Sequence, residues 1–153
     1  RCAGFLNHPG ISVVPEAQVA GKAGRIHAMH DPTEGGLATG LWELAMAADV
    51  GLEIDAQAVP IYPETRKLCE LYDLDPWGVI GSGSLLLTVD VADLESVSDA
   101  LAAADIQVSR VGRVVERERG VILRVPVAGE TAKACRTVAL PTFARDEITR
   151  LFE

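Results

Sequence analysis

Residues 30–37 read His30-Asp31-Pro32-Thr33-Glu34-Gly35-Gly36-Leu37, a stretch that combines helix-start residues with two adjacent glycines. It predicts a helix start, because Asp31 suits an N-cap, Pro32 suits the first helical position and Glu34 completes a capping box. The two glycines would then fall in the second turn, where each costs roughly 0.5–1 kcal/mol relative to alanine. Something other than helix stability is therefore expected to exclude side chains there.

Two explanations fit the paired glycines. A phosphate or similar anion is attracted to the unpaired N–H groups and the positive dipole end of a helix, and glycines let it approach the main chain. Glycines at a helix start also permit close packing against a neighbouring strand, and the spacing does not separate the two explanations. The same choice applies to Gly81-Ser82-Gly83-Ser84, which suits an oxygen-rich ligand or a tight turn before a buried strand.

The composition predicts one compact domain over residues 1–153, with a leading helix or loop segment over residues 1–24. The chain has 153 residues, of which 48% are hydrophobic and 24% charged. Its net charge of −8 lacks the basic footprint that nucleic-acid binding requires, and an anionic nucleotide is expected to arrive with Mg²⁺. No segment approaches the ~18 apolar residues of a membrane span and no signal peptide is visible, which indicates a cytoplasmic protein.

The cysteines and histidines predict no metal centre. Cys2, Cys69 and Cys135 are odd in number, far apart and outside any CxxC spacing, so neither a disulfide framework nor a zinc site is expected. His27 and His30 would face opposite sides of an extended strand, which argues against a shared metal. His30 is a candidate for contact with a ligand, the alternative being a histidine satisfied by backbone hydrogen bonds. No catalytic nucleophile is assigned.

The apolar period switches between two and nearly four residues, which is typical of a mixed α and β protein. Strands are predicted over residues 10–14, 25–29, 52–54, 85–89, 107–115 and 121–125, with a hairpin considered for the last two. Helices are predicted over residues 34–49, 63–71, 91–104 and 145–153, and residues 15–24 are expected to form a small helix or loop. Gly51 is expected to end the helix that starts near Glu34, and Leu68 and Leu71 are expected to face inward.

These motifs resemble the second half of the aminoimidazole ribonucleotide (AIR) synthase superfamily, especially its hydrogenase-maturation (HypE-like) and AIR-synthase-related branches. The resemblance starts at residues 30–38 and covers nearly the whole chain, continuing at residues 43–45, 50–52, 59–61, 69–76, 81–85 and 111–114. It implies an α+β fold, a three-layer domain in which a mixed β-sheet packs against flanking helices. The ligand-facing residues implied by matching positions are Asp31, Thr33, Gly35, Gly36, Ser82, Gly83 and Ser84, with His30 and Glu34 as further polar contacts.

The resemblance also implies a missing half. In such proteins this domain is coupled to an N-terminal domain that holds much of an ATP and Mg²⁺ site and usually forms the dimer. The chain is therefore expected to be a fragment of a two-domain protein that uses ATP and Mg²⁺, neither of which this domain needs for folding. Its expected partners are that N-terminal domain, a nucleotide, a small-molecule substrate and a second copy of the full-length protein.

Two departures separate this chain from the hydrogenase-maturation branch. That branch typically has arginine at the position of Glu34 and ends in a Pro-Arg-Ile-Cys tail, whereas this chain ends Arg150-Leu151-Phe152-Glu153. The preferred interpretation is the substrate- and phosphate-facing C-terminal domain of an AIR-synthase-related, ATP-dependent enzyme, inactive without its N-terminal half. The alternatives are a hydrogenase-maturation factor domain and a non-catalytic binding or regulatory module.

Overall fold

The computed structural model describes residues 2–127, 129 and 134–152. The helices in these ranges are α1 (Val14–Ala23), α2 (Gly36–Ala48), α3 (Pro63–Tyr72) and α4 (Leu94–Ala103). The strands are β1 (Ile26–His30), β2 (Gly51–Asp55), β3 (Leu86–Val89), β4 (Gly112–Val115), β5 (Val121–Pro126) and β6 (Cys135–Ala139). Short 3₁₀ turns cover Cys2–Leu6, Val91–Asp93, Arg117–Arg119 and Glu147–Phe152. The α+β class predicted from the sequence is confirmed.

A four-stranded sheet of order β4-β2-β5-β6 carries the larger core. It is mixed, as expected, because β2 is parallel to β5 while the β2–β4 and β5–β6 pairs are antiparallel. Side chains alternate along β2, so that Leu52 and Ile54 are buried while Glu53 and Asp55 belong to the opposite face. The buried side chains that pack between α2 and the sheet are Ala38, Leu41, Leu44, Ala45, Leu52, Ile54, Val121, Leu123 and Leu140.

Strands β4 and β5 do not form the hairpin considered for them. Both pair with β2, which lies between them, and Leu52 is registered with Val114 on one side and Val121 on the other. The turn between β4 and β5 crosses the start of β2, where the main-chain N–H of Leu52 donates to the carbonyl of Gly120 at 3.0 Å. The local apolar pattern does not show that a strand from a distant part of the chain lies between two strands. The closeness of β4 and β5 in sequence therefore predicted a pairing that does not form.

A second sheet positions the candidate site. Strands β1 and β3 pair as an antiparallel ribbon whose register joins His30, the last residue of β1, to Leu86, the first of β3. Helices α1 and α4 share a smaller core with this ribbon, in which Ala20, Val97 and Leu101 are buried. The antiparallel pairing places the residues that follow β1 and those that precede β3 at the same end of the ribbon.

Several predicted elements differ from the structure. Residues 10–14 form no strand, because α1 begins at Val14 with Pro15 in its first turn, a position that proline favours. Helix α2 ends at Ala48, and Asp49, which caps it, adopts the left-handed conformation (φ 56°) that was expected two residues later at Gly51. The predicted terminal helix is a 3₁₀ turn over Glu147–Phe152.

Helix α3 faces the core with a different side from the one predicted. Cys69 is its buried residue, whereas Leu68 and Leu71 are 47% and 69% exposed. The prediction was wrong because the apolar spacing identifies a stripe but not the element that covers it. In the described part of the chain, no helix combines the length and apolar character needed to cross a membrane.

Candidate functional site

The glycine turn, residues 31–36, links β1 to α2. Gly35 and Gly36 both have positive φ (76° and 65°), and α2 begins at Gly36. The N–H of Gly36 donates to the carbonyl of Thr33 at 3.1 Å, which closes the turn. The predicted N-cap at Asp31 and its capping box with Glu34 are wrong, because two consecutive left-handed residues interrupt any helix that starts before them. Glycine is the residue that adopts this conformation without steric cost.

Gly36 is packed against main chain. A Cβ at this position would lie 2.5 Å from the carbonyl oxygen of Val79 and 2.6 Å from that of Trp77. The N–H of Ala38 donates to the same Trp77 carbonyl at 3.0 Å, which ties α2 to the loop. Close packing therefore accounts for the missing side chain at Gly36, although the neighbour is a loop rather than a strand. Contact between this glycine and a ligand stays a prediction.

The start of α2 is occupied by a carboxylate of the chain itself. Asp146 is buried, and its Oδ2 accepts a hydrogen bond from the N–H of Gly35 at 2.8 Å while Oδ1 accepts from the N–H of Ile148 at 3.0 Å. A carboxylate is stabilised at a helix N-terminus for the same reason as a phosphate. The amides of Gly35 and Gly36 are thus not bare, contrary to the picture of an anion site formed by unpaired N–H groups.

The serine turn, residues 81–84, lies against the glycine turn. The N–H of Gly81 donates to the carbonyl of Thr33 at 3.1 Å, and the N–H of Ser84 donates to the carbonyl of Gly81 at 3.0 Å. Ser82 and Ser84 are exposed. Gly83 has a φ of 93°, and a Cβ there would lie 3.2 Å from the carbonyl oxygen of Gly10, so local packing accounts for this glycine too. The structure therefore brings the two predicted motifs together, as the antiparallel pairing of β1 with β3 requires.

His30 is held by a carboxylate rather than by the backbone. Its Nε2 lies 2.6 Å from Oε2 of Glu43 on α2, and its Nδ1 lies 4.0 Å from Oδ1 of Asp31. The His30 side chain is 28% exposed. A carboxylate bound to one ring nitrogen fixes the orientation of the imidazole and leaves the other nitrogen for a proton or a ligand. His30 is the last residue of β1 and directly precedes the glycine turn, so its Nδ1 lies beside that turn.

Glu34 remains ionised at the turn. Its own main-chain N–H and then the Thr33 side chain hold the pKa of the Glu34 carboxyl below its usual value. Asp31 and Glu34 are both exposed, so the surface of the glycine turn is acidic. Among the described residues, no group of three or more His, Cys, Asp or Glu side chains is arranged to hold a metal ion by itself.

Residues 147–150 hydrogen-bond to the loop of residues 75–79, which packs against Gly36. These contacts are called the clamp below. Oε2 of Glu147 accepts hydrogen bonds from the N–H of Asp75 at 3.0 Å and from Arg150 at 2.8 Å. The N–H of Glu147 donates to the carbonyl of Gly78 at 3.0 Å. The hydrogen bond from the Asp75 amide, followed by the one from Arg150, keeps the pKa of Glu147 below its ordinary value. No feature of the sequence indicated this clamp or the contact of Asp146.

Acid is expected to weaken this clamp. Folding lowers the pKa of the Glu147 carboxyl. Ionised Glu147 therefore stabilises the fold fully at pH values above 4.5, the ordinary pKa of a glutamate, and this stabilisation is lost as the pH falls through the lowered pKa of the folded state. Glu147→Gln is expected to reduce stability at neutral pH and to flatten the decline of stability in acid, measured by urea unfolding at successive pH values. Glu95→Gln, an exposed change on α4, is the matched control. An unchanged acid profile for Glu147→Gln would contradict the assignment.

The chain is similar to known proteins over most of its length. Residues 5–124 match the family described as AIR synthase related protein, C-terminal domain. Carbamoyl dehydratase HypE of Cupriavidus necator is 33% identical over 105 residues, which make up 67% of this chain and 30% of that protein. The chain thus spans about a third of the length of this relative.

Two solved structures share the fold. The crystal structure of E. coli HypE, a hydrogenase maturation protein, has a TM-score of 0.68 and 30% identity, covering 86% of this chain and 40% of that one. Hydrogenase Maturation Protein HypE in complex with ATP has a TM-score of 0.65 and 27% identity, covering 82% of this chain and 38% of that one.

Proposed function

Because the chain belongs to the AIR synthase related protein family as its C-terminal domain, we propose that it forms the substrate- and phosphate-facing part of an ATP-dependent enzyme. One observation carries the proposal: the carbonyl of Thr33 accepts hydrogen bonds from both Gly36 and Gly81, so the glycine turn and the serine turn form one surface. The similarity to a HypE protein solved in complex with ATP supports a nucleotide as the ligand.

The two turns carry the donor set that a metal-bound phosphate needs. The hydroxyls of Ser82 and Ser84 donate hydrogen bonds to phosphate oxygens, and that of Thr33, which bonds to Glu34 in the free protein, can do so once Mg²⁺ takes its place on that carboxylate. The carboxylates of Asp31 and Glu34 suit Mg²⁺, which takes carboxylate and phosphate oxygens together. All five side chains are exposed. Mg²⁺ is part of the proposal because these carboxylates would repel a triphosphate that arrived without a cation. Bound ATP would supply a phosphoryl group to activate a substrate oxygen, and the domain binds and orients the reactants.

His30 is the group that we assign to proton movement at this surface. Glu43 fixes the imidazole through Nε2, so Nδ1 is left to exchange a proton with a substrate bound at the glycine turn. Glu43 acts through His30 and is a positioning residue. The proposal assigns no nucleophile.

The rest of the nucleotide site is assigned to an N-terminal domain. This chain spans only 30% of the HypE protein of C. necator, which leaves room for such a domain in the relatives. Leu68, Leu71 and Tyr72 of α3 are 47%, 69% and 52% exposed, and a partner domain would remove such apolar surface from water. The isolated chain is therefore expected to have negligible ATPase activity, and robust turnover by the purified chain would contradict this part of the proposal.

A hydrogenase-maturation factor is the second candidate function. The observation in its favour is the 33% identity to a protein named carbamoyl dehydratase, which would make the substrate a carbamoyl group. The residue at position 34 weighs against a hydrogenase-maturation factor, because that branch of the family typically has arginine where this chain has Glu34. Replacing the corresponding domain of a HypE protein with this chain tests the candidate, because restored hydrogenase maturation would favour it over an unrelated substrate.

The serine turn offers the sharpest test of the leading proposal. In the protein that joins this chain to its N-terminal half, Ser82→Ala with Ser84→Ala is expected to weaken binding of ATP with Mg²⁺ by about 10-fold or more, because hydrogen bonds to charged groups contribute roughly 1.5–3 kcal/mol. Thermal unfolding should stay nearly unchanged, since both serines are exposed. Binding is measured by calorimetry.

Ser109→Ala is the matched control, because Ser109 is exposed and lies outside both turns. Its affinity for ATP is expected to equal that of the unaltered protein. Equal affinities for the double variant and the control would remove the serine turn from the nucleotide site.

A further inference from the structure

A concave surface lies on the face of the sheet opposite to α2. It is a depression of about 310 Å³, and its lining residues include none from the glycine or serine turn. The register of the strands creates it, because Arg113 of β4 pairs with Glu53 of β2 while Arg124 of β5 pairs with Asp55 of β2. Arg110, which precedes β4, completes the cationic lining.

The acidic groups of this depression are already engaged. Oε2 of Glu53 accepts hydrogen bonds from Arg113 at 3.0 Å and Arg119 at 2.9 Å, and the Glu53 side chain is only 12% exposed. The Arg113 guanidinium holds the pKa of Glu53 below its usual range. Oδ1 of Asp55 accepts a hydrogen bond from the N–H of Gln57 at 3.0 Å.

Two guanidinium groups make no direct bond to the described part of the chain, although the charge of Arg124 acts on Glu53 from a distance. Within the described ranges, the side chains of Arg110 and Arg124 have neither a hydrogen bond nor an ion pair. Four guanidinium groups therefore meet two carboxylates here, in a chain whose net charge is −8. Charges of one sign gathered in a concave surface focus the potential and attract an ion of opposite sign. Arg110 and Arg124 are exposed, so this local cationic excess is accessible to an anion from solution.

We propose that the depression binds the phosphoryl group of a small molecule or free phosphate, with Arg110 and Arg124 donating to its oxygens. Guanidinium groups suit this chemistry because their planar N–H forks match the oxygens of a phosphate. A volume of about 310 Å³ is at the small end of ligand pockets and accommodates a phosphate with a compact body attached. The site does not depend on the function proposed for the two turns.

The test is a titration of the protein with inorganic phosphate and, separately, with AMP, followed through the backbone amide NMR signals. We expect saturable shifts at Asp55, Gly112 and Arg124. Arg110→Gln with Arg124→Gln is expected to weaken binding about 10-fold or more, as the loss of charge-assisted hydrogen bonds implies. Arg25→Gln with Arg66→Gln, which removes two exposed arginines elsewhere, is the matched control and should bind as the unaltered protein does.

The outcomes separate this site from the nucleotide site. Tighter binding of AMP than of phosphate would identify a phosphorylated small molecule as the ligand, and equal affinities would identify free phosphate. Absence of saturable shifts at the depression, or the same affinity in both double variants, would overturn the proposal. Shifts confined to the glycine and serine turns would also overturn it while supporting the function proposed for those turns.

Discussion

Gly36→Ala is expected to lower the free energy of unfolding by about 3 kcal/mol. Two costs combine: a left-handed conformation costs roughly 1–2 kcal/mol for a residue with a Cβ, and overpacking costs roughly 1–3 kcal/mol. The clash is with the carbonyl oxygens of Val79 and Trp77, at 2.5 and 2.6 Å, and main chain cannot rotate away as a flexible side chain can. The melting temperature should fall by roughly 6–12 °C.

Gly129→Ala is the matched control for this change. Gly129 also has a positive φ, at 81°, but among the described residues a Cβ there would meet no atom within 4 Å. It therefore measures the conformational cost without the clash, and its melting temperature should fall much less. If both variants lost the same stability, the packing of Gly36 against the 77–79 loop would be refuted. If Gly36→Ala kept its stability and lost nucleotide binding, the glycine would be a ligand contact.

Asp146→Ala is expected to cost about 3 kcal/mol. The change leaves the N–H groups of Gly35 and Ile148 without their acceptor. The Gly35 donor is buried, where an unsatisfied group costs roughly 1–3 kcal/mol, whereas the Ile148 donor is only partly buried and costs less. It also removes a negative charge from the start of α2, where such a charge is favourable. Asp146→Asn keeps an acceptor oxygen and should lose less. Urea unfolding of both variants measures the difference.

Hydrogen exchange at the Gly35 amide is a second measurement for the Asp146→Ala variant. The Gly35 amide hydrogen is expected to exchange slowly in the unaltered protein and faster in Asp146→Ala, because its hydrogen bond to the carboxylate is lost. Asp99→Ala, an exposed change on α4, is the control and should alter neither the stability nor this exchange rate. Unchanged exchange at Gly35 in Asp146→Ala would mean that the carboxylate does not cap α2.

The spacing of apolar residues was enough to predict the helices and strands that bury one face. The alternation around Leu52 and Ile54 predicted β2, and the stripe through Leu41 and Leu44 predicted the body of α2, because burial on one side sets the period of the apolar residues. The start of α2 was wrong for a physical reason. Cap preferences describe average helices, whereas the positive φ of Gly35 overrides them in this turn.

Long-range pairing was not accessible from the sequence. The contact between Gly35 and Asp146 joins residues 111 positions apart, and nothing in either segment specifies the other. The insertion of β2 between β4 and β5 is of the same kind. The glycines and serines in the sequence indicated both turns of the candidate site. That the two turns lie side by side follows only from the pairing of β1 with β3. The bond between His30 and Glu43 was missed because it links a strand to a helix whose relative orientation no local rule gives.

An amide NMR titration of this chain joined to the proposed N-terminal domain, with a non-hydrolysable ATP analogue and Mg²⁺, tests most directly whether the two turns bind the nucleotide. We expect the largest shifts at Thr33, Glu34, Ser82 and Ser84, while the Gly35 amide stays protected by its bond to Asp146. Saturable binding of the analogue that leaves the signals of both turns unchanged would show that the nucleotide binds elsewhere, and would contradict the account.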